Sequence, residues 1–202
     1  EHFKNGPGSD FADDTRLASV GRPMPLVKVE IQDENNNSLP TGQTGEICVQ
    51  GDLVMKGYYK DPDKTAGTVI KGWLHTGDIG HLDEDGYLYI TDRKKDMIIS
   101  GGFNVYPQEA EQVLWGHPAV RDCAVIGVPD EKWGEAVKAV VELKQGMTVT
   151  PEELINLCKN KIGSVKSPKT VDIVNELPRS LNGKVLKKDL REQYWKGVDR
   201  KI

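Results

Sequence analysis

The hydrophobic periodicity of the chain changes once, close to Arg93-Lys94-Lys95-Asp96, and this change constrains the fold more than any other feature. Before it, apolar and polar residues alternate, as in the run from Val27 to Gln32, which is typical of half-buried strands. After it, apolar residues recur every three or four positions, as in amphipathic helices. The pattern predicts two units of different architecture, residues 1–92 and 93–202.

Strands separated by turns are predicted for the first unit. Strand candidates lie at residues 27–32, 46–50 and 87–91, and they are separated by turn signals such as Asn35-Asn36-Asn37 and Asp83-Glu84-Asp85-Gly86. This arrangement is typical of a small β-barrel or sandwich.

The second unit mixes helices with strands. Pro107 and Gly116 mark the ends of one predicted helix, and the capping box Thr150-Pro151-Glu152-Glu153 starts another. Strand candidates lie at residues 123–128, 136–143 and 171–174, and a terminal helix carries Leu186, Leu190 and Tyr194. We therefore predict a compact α+β domain, and an α+β fold class for the whole chain.

Charge and composition exclude several classes of protein. The net charge of −4 conceals −8 up to Asp92 and +4 from Arg93 onward, so the second unit is suited to an anionic ligand. A solvated basic face explains the surplus equally well, and no groove-reading motif indicates nucleic acid. There is no apolar run of membrane-span length and no secretory signal, which favours the cytoplasm. Three widely spaced cysteines and four scattered histidines favour neither a disulfide framework nor a metal site.

Two segments near the boundary carry candidate binding residues. Asp78 ends the segment Trp73-Leu74-His75-Thr76-Gly77-Asp78, where its carboxylate could accept hydrogen bonds from a vicinal diol or simply cap a turn. Arg93, in Asp92-Arg93-Lys94-Lys95, has forked donors suited to hydroxyls or phosphate, although such a charge run can also be merely solvated.

Two further segments belong to the second unit. Gly101 and Gly102 precede Phe103 and a helix start, so the backbone there could approach a ligand closely or could simply turn. Lys184 follows Asn182-Gly183 on a short loop, from which its ammonium could reach a phosphate or a developing oxyanion. Most loop lysines have no such role.

Taken in order, these segments resemble the adenylate-forming enzymes, specifically the AMP-forming acyl-CoA synthetases, from about Val20 to Leu190. Each segment alone is weak evidence for this family, whereas the whole set in this order is highly specific for it. The run Asp96-Met97-Ile98-Ile99-Ser100-Gly101-Gly102 with Tyr106-Pro107 is most similar to fatty-acid CoA ligases. The other matching segments are Gly45-Glu46-Ile47-Cys48-Val49-Gln50-Gly51, Gly57-Tyr58-Tyr59, Thr76-Gly77-Asp78, Asp92-Arg93 and Asn182-Gly183-Lys184.

The resemblance implies a two-step reaction. A carboxylic acid and ATP give an acyl-adenylate and pyrophosphate, and CoA then displaces AMP. Asp78 and Arg93 would bind the nucleotide, and Lys184 would act as the catalytic lysine. Lys95 would be the hinge about which a mobile C-terminal domain swings between the steps, and Gly101, Gly102 and Phe103 would approach CoA.

The resemblance also implies a missing portion. The family's Ser/Thr/Gly-rich phosphate loop and its Tyr-Gly-x-Thr-Glu segment do not occur in these residues, so we expect a C-terminal part of a longer enzyme that alone is inactive. The missing N-terminal domain would contact this part and bind most of the ATP and Mg²⁺. An aryl-acid CoA ligase, an enzyme that loads a carrier protein, and a non-catalytic interaction module are the alternatives. The acyl chain length and the assembly state, a homo-oligomer included, stay open.

Overall fold

One antiparallel sheet forms the core of the first unit. The structure is a computed structural model, which describes residues 14–196 of the chain. Strand β4 pairs with β2 for most of its length, with β3 at its start and with β5 at its end, and β1 pairs with β2. The elements are α1 (Asp14–Leu17), β1 (Val27–Gln32), β2 (Gly45–Gly51), α2 (Pro62–Thr68), β3 (Val69–Ile70), β4 (Trp73–Leu82) and β5 (Leu88–Arg93).

The second unit combines a mixed sheet with three helices. Strand β9 lies between β8 and β10 and pairs in parallel only with β10, while the β6–β7 hairpin joins the sheet through Ser100 and Gly134. The elements are β6 (Ile98–Ser100), β7 (Phe103–Val105), α3 (Pro107–Trp115), β8 (Val120–Asp130), β9 (Gly134–Leu143), α4 (Pro151–Lys166), β10 (Thr170–Val174) and α5 (Lys187–Tyr194). The α+β fold class is therefore confirmed.

Both faces of the β8–β9 hairpin are buried. Cys123 and Val125 point to one face, where α3 and α4 pack, and Ala124 and Ile126 point to the other, where Leu190 of α5 packs. Because successive strand residues face opposite sides, burial of both faces explains why β8 is a continuous apolar run.

Local signals predict the helices of the second unit well. Helix α3 begins at Pro107 and ends before Gly116, and α4 begins at Pro151 with the Thr150 hydroxyl accepting from the Glu153 amide at 3.2 Å. A proline at the first helical position and a capping hydroxyl each involve only residues close by in the sequence, so both can be recognised without knowing the fold.

The unit boundary lies between Lys95 and Asp96, three residues beyond the one that the sequence predicts. Arg93 completes β5, and the Lys94 ammonium lies 2.9 Å from Glu46 Oε2 in β2. These contacts bind Arg93 and Lys94 to the sheet of the first unit.

A bulge in β4 shapes the segment that the sequence analysis singled out. Glu46 pairs with Ile79 but Cys48 pairs with His75, so three residues of β4 face one residue of β2. Gly77 lies in this bulge with φ +74°, a conformation that L side chains rarely adopt. Asp78 therefore lies within an irregular strand.

The buried Glu46 carboxylate holds the bulge in place. Its Oε1 accepts from the Gly77 amide at 3.2 Å, and its Oε2 lies 2.9 Å from both His75 Nδ1 and Lys94 Nζ. Burial raises the pKa of Glu46, but the hydrogen bonds from His75 and Lys94 outweigh that effect and lower the pKa overall. Ionised Glu46 is thus part of the folded unit.

All three cysteines, Cys48, Cys123 and Cys158, are buried free thiols. Burial is the main reason that the pKa of Cys48 rises to about 12 and that of Cys158 to about 11. Burial also raises the pKa of Cys123. The thiols are therefore protonated at neutral pH.

Leu154→Ala should destabilise the second unit by about 2–5 kcal/mol, because Leu154 is fully buried between α4 and the sheet. Urea unfolding followed by tryptophan fluorescence measures the change. The control Met147→Ala alters a 44% exposed side chain and should change the free energy of unfolding little. Equal effects of the two variants would contradict this account of the core.

Glu46→Gln should lower the stability of the first unit at pH 7 by about 1–3 kcal/mol, because it removes charge-assisted hydrogen bonds. A lowered native pKa means that Glu46 stabilises the fold above the ordinary glutamate pKa, and that this stability is lost as the pH falls through the native pKa. The variant should therefore lose less stability than the wild type when acidified from pH 6 to pH 3.

Urea unfolding at several pH values measures this difference. Glu84→Gln, in the exposed turn between β4 and β5, is the matched control. Parallel pH profiles for the wild type and Glu46→Gln would show that Glu46 is not held ionised by the fold.

Candidate nucleotide and acyl-transfer site residues

Asp78 and Arg93 face each other across two neighbouring strands. The β4–β5 register pairs them directly, and Arg93 Nε lies 2.6 Å from Asp78 Oδ1. Arg93 is 61% exposed at its side chain and Asp78 26% exposed, so both keep polar atoms open to a ligand. Their arrangement offers adjacent acceptors and forked donors, which suits a diol beside an anionic group.

The backbone around Asp78 is fixed by the Thr76 side chain. The Thr76 hydroxyl donates to Ile47 O at 2.8 Å and accepts from the Asp78 amide at 3.1 Å. Together with the Glu46 bond to Gly77, these contacts hold the segment that carries the Asp78 carboxylate.

Three potential metal ligands meet beside this segment. One ligand atom each from Glu46, Cys48 and His75 lie within 4.8 Å of one another. However, Glu46 Oε2 is already shared by Lys94 Nζ and His75 Nδ1, each at 2.9 Å. We interpret the cluster as a hydrogen-bond network, in which the buried His75 Nε2 has no hydrogen-bond partner within residues 14–196.

The chain at the predicted hinge is held on both sides. Lys94 is bound to Glu46 within the first unit. Asp96 Oδ1 lies 2.8 Å from Arg191 Nη1 within the second unit, and both side chains are largely buried. Lys95 lies between these two anchors, in a short 3-10 helix.

Gly101 and Gly102 form the turn of the β6–β7 hairpin, and Tyr106 alone separates this hairpin from α3. The sequence analysis placed this turn directly before the helix, because strands of three residues leave little periodicity to detect. A Cβ atom on Gly101, whose φ is +58°, would lie 2.5 Å from the Trp133 ring. Glycine is therefore required here both by conformation and by space.

A cavity of about 460 Å³ lies beside this hairpin. Phe103 is 58% exposed and Trp133 40% exposed, and together they give the cavity aromatic surface. Lys159 and Lys169 add positive charge, and burial followed by the charge of Lys159 lowers the pKa of Lys169. Trp133, Lys159 and Lys169 could not be grouped from the sequence, because they come from the β8–β9 turn, from α4 and from the loop before β10.

Lys184 lies on the returning strand of a second small hairpin. The Ser180 amide donates to Lys184 O at 2.8 Å, and the Gly183 amide donates to Ser180 O at 2.8 Å. Lys184 is exposed, and its ammonium forms no ion pair with any residue of the described range 14–196. Its neighbours Lys187 and Lys188 pair with Glu111 and Glu192.

The described residues, 14–196, include no helix long and apolar enough to cross a membrane.

Two family models and several known proteins match the chain. The family model of the AMP-binding enzyme C-terminal domain matches residues 109–184, and the AMP-binding enzyme model matches residues 6–59. The chain is 45% identical over 188 residues to a long-chain-fatty-acid–CoA ligase of Escherichia coli O6:H1, which covers 93% of the chain and 33% of the relative. It is 42% identical over 179 residues to a feruloyl-CoA synthase of an Amycolatopsis species, covering 89% of the chain and 36% of the relative.

A solved structure is similar as well. The crystal structure of ATP-bound MatB from Rhodopseudomonas palustris has a TM-score of 0.82 and 41% identity, and the match covers 88% of this chain and 36% of that one. The chain thus spans about a third of the length of the relatives that it matches. Because both AMP-binding models match the chain in order, the chain belongs to the AMP-binding enzyme family, and the relatives that it matches include fatty-acid CoA ligases.

Proposed function

We propose that the chain is part of an ATP-dependent fatty-acid CoA ligase. In the first step, a carboxylate oxygen attacks the α-phosphorus of ATP and pyrophosphate leaves. In the second, the CoA sulfur attacks the acyl carbon, the thiol proton is lost and AMP leaves. The observation that carries the proposal is the direct pairing of Asp78 with Arg93, two residues that the family resemblance assigns to the nucleotide.

Asp78 would accept hydrogen bonds from the ribose hydroxyls, and Arg93 would support it. A carboxylate held by a stiff backbone loses little entropy when it binds a diol. Arg93 has further donors besides the Nε that pairs with Asp78, so it can contact the nucleotide without breaking the pair.

Lys184 would stabilise the first transition state. Charge develops on the phosphorus oxygens as the carboxylate attacks, and a positioned ammonium offsets that charge. An exposed lysine without an ion-pair partner in the described part of the chain can make this contact without breaking another.

The cavity beside the β6–β7 hairpin supports the assignment of Gly101, Gly102 and Phe103 to CoA. Aromatic surface suits a nucleotide base, and lysine ammonium groups suit its phosphates. The exposed turn offers backbone where a thiol arm can approach closely.

Lys95 would be the pivot of the second unit. Its neighbours are bound to different units, Lys94 to the first and Asp96 to the second, so rotation of the backbone between them breaks neither ion pair.

An aryl-acid CoA ligase is the second candidate, favoured by the 42% identity to the feruloyl-CoA synthase. Pyrophosphate release from the longer enzyme, measured across fatty and aromatic acids, distinguishes the two. We expect the chain alone to catalyse neither step, because the family's phosphate loop is absent from its sequence. ATP and CoA would both be available in the cytoplasm, the location that the sequence favours.

Lys184→Ala in the longer enzyme should slow acyl-adenylate formation by about 10²- to 10³-fold, because it removes one electrostatic contact to the transition state. Thioester formation from supplied acyl-adenylate should stay close to wild type. Pyrophosphate and acyl-CoA release measure the two steps separately. Lys188→Ala, which removes an exposed lysine paired with Glu192, is the matched control. Equal loss in both steps would show that the role assigned to Lys184 is wrong.

Lys95→Pro should slow thioester formation more than acyl-adenylate formation, because proline fixes φ at the proposed pivot. Rapid-mixing measurements of acyl-adenylate and thioester give both rates, and Lys95→Ala separates loss of the side chain from loss of backbone rotation. The hinge assignment fails if the two steps slow equally in Lys95→Pro.

A further inference from the structure

The loop that carries Lys184 is a closed hairpin. Besides the bonds of its turn, the Leu186 amide donates to Pro178 O at 2.8 Å, and Arg179 forms a bridge with Val185. The backbone of Lys184 therefore has a defined position relative to the base of the hairpin. The ammonium of Lys184 can still move by rotation about the bonds of the lysine side chain.

One side chain joins the tip of this hairpin to the domain core. The Arg179 guanidinium donates through Nη1 to Gly183 O at 3.1 Å and through Nη2 to Glu142 at 3.1 Å. The same Nη2 lies 2.8 Å from Asp122 Oδ2. Gly183 directly precedes Lys184, so Arg179 links the backbone next to the lysine to strands β8 and β9.

The core acceptor is a buried carboxylate. Glu142 is 1% exposed, and its Oε2 also accepts from the Leu177 amide at 3.2 Å. Arg121, 65% exposed, binds the other oxygen of the same group at 2.7 Å. Glu142 thus keeps one guanidinium partner when Arg179 is removed, which protects the fold from an unpaired buried charge.

The contacts require an arginine. Three acceptors, two carboxylates and one carbonyl, surround the planar guanidinium, whose five N–H groups point in fixed directions. A lysine ammonium at the end of a flexible stem would not span the same acceptors in one geometry.

We propose that Arg179 is a positioning residue for Lys184: it fixes the hairpin tip against the Glu142 and Asp122 carboxylates so that the ammonium is presented at a constant place on the domain surface. The proposal rests on the function proposed above and deepens it. Misplacement of a catalytic group by about 1 Å can lower the rate about a hundredfold, so loss of the fixed hairpin tip should slow the reaction measurably.

The test compares variants of the longer enzyme that contains this chain. Arg179→Ala should slow acyl-adenylate formation by about 10- to 100-fold, leave thioester formation from supplied acyl-adenylate nearly unchanged, and alter KM for ATP little. Arg179→Lys should lie between Arg179→Ala and the wild type. The double variant Arg179→Ala/Lys184→Ala should be no slower than Lys184→Ala alone, because both changes remove the same contact.

Arg121→Ala is the matched control, since it removes a guanidinium from the same Glu142 carboxylate but makes no contact with Gly183. Both half-reactions should stay near wild type in this control. A merely structural role for Arg179 predicts equal loss in the two steps and additive effects with Lys184→Ala, and either result would overturn the proposal.

Amide hydrogen exchange across residues 178–186 gives a readout that does not depend on turnover. Exchange should be faster in Arg179→Ala than in Arg121→Ala, and unchanged exchange would overturn the proposal even for an enzyme that activates no acid. If Arg179→Ala does not fold, Arg179→Lys provides the same comparison. If Lys184→Ala does not slow acyl-adenylate formation, the proposed role of Lys184 is wrong. If Lys184→Ala slows that step but Arg179→Ala has a normal rate, only the inference about Arg179 is overturned.

Discussion

Buried carboxylates that accept a backbone amide and a cation together hold the segments that carry the candidate functional residues. Glu46 does so for the bulge that includes Asp78, and Glu142 does so for the hairpin that carries Lys184. Glu111 accepts from the Val125 amide and from Lys187, just beyond that hairpin. A buried charge is costly unless it is paired and hydrogen-bonded, so each of these carboxylates constrains where its partners can lie.

This constraint explains how short, irregular segments keep a defined shape. The bulge at Thr76-Gly77-Asp78 and the hairpin at Lys184 are too short to be stable through regular hydrogen bonding alone. Their amides and neighbouring cations instead bind acceptors that the sheets hold rigidly. Of the cationic partners, Lys94 directly follows Arg93, and Arg179 donates to the carbonyl of Gly183, which directly precedes Lys184.

Sequence reasoning succeeded where the controlling interactions are local. The ends of α3 and α4 depend on residues close by in the sequence, so the sequence predicts them. The strands β8 and β9 are apolar runs because both of their faces are buried, and such runs can also be recognised in the sequence. From their chemistry and the family resemblance, Asp78, Arg93 and Lys184 were identifiable as candidate residues. Their pairing was not, because the register of Asp78 with Arg93 depends on bulges in β4 and β5. The partners of Arg179 lie in strands far away along the chain, and no spacing rule connects them.

The burial of all three cysteines has a chemical consequence for the proposed reaction. An acyl-adenylate is a mixed anhydride that any accessible thiolate would intercept, forming an acylated protein instead of the product. Protonated thiols inside packed sheets and helices are poor nucleophiles and present no such trap. The three cysteines of this chain therefore would not compete with the CoA thiol for an acyl-adenylate bound at its surface.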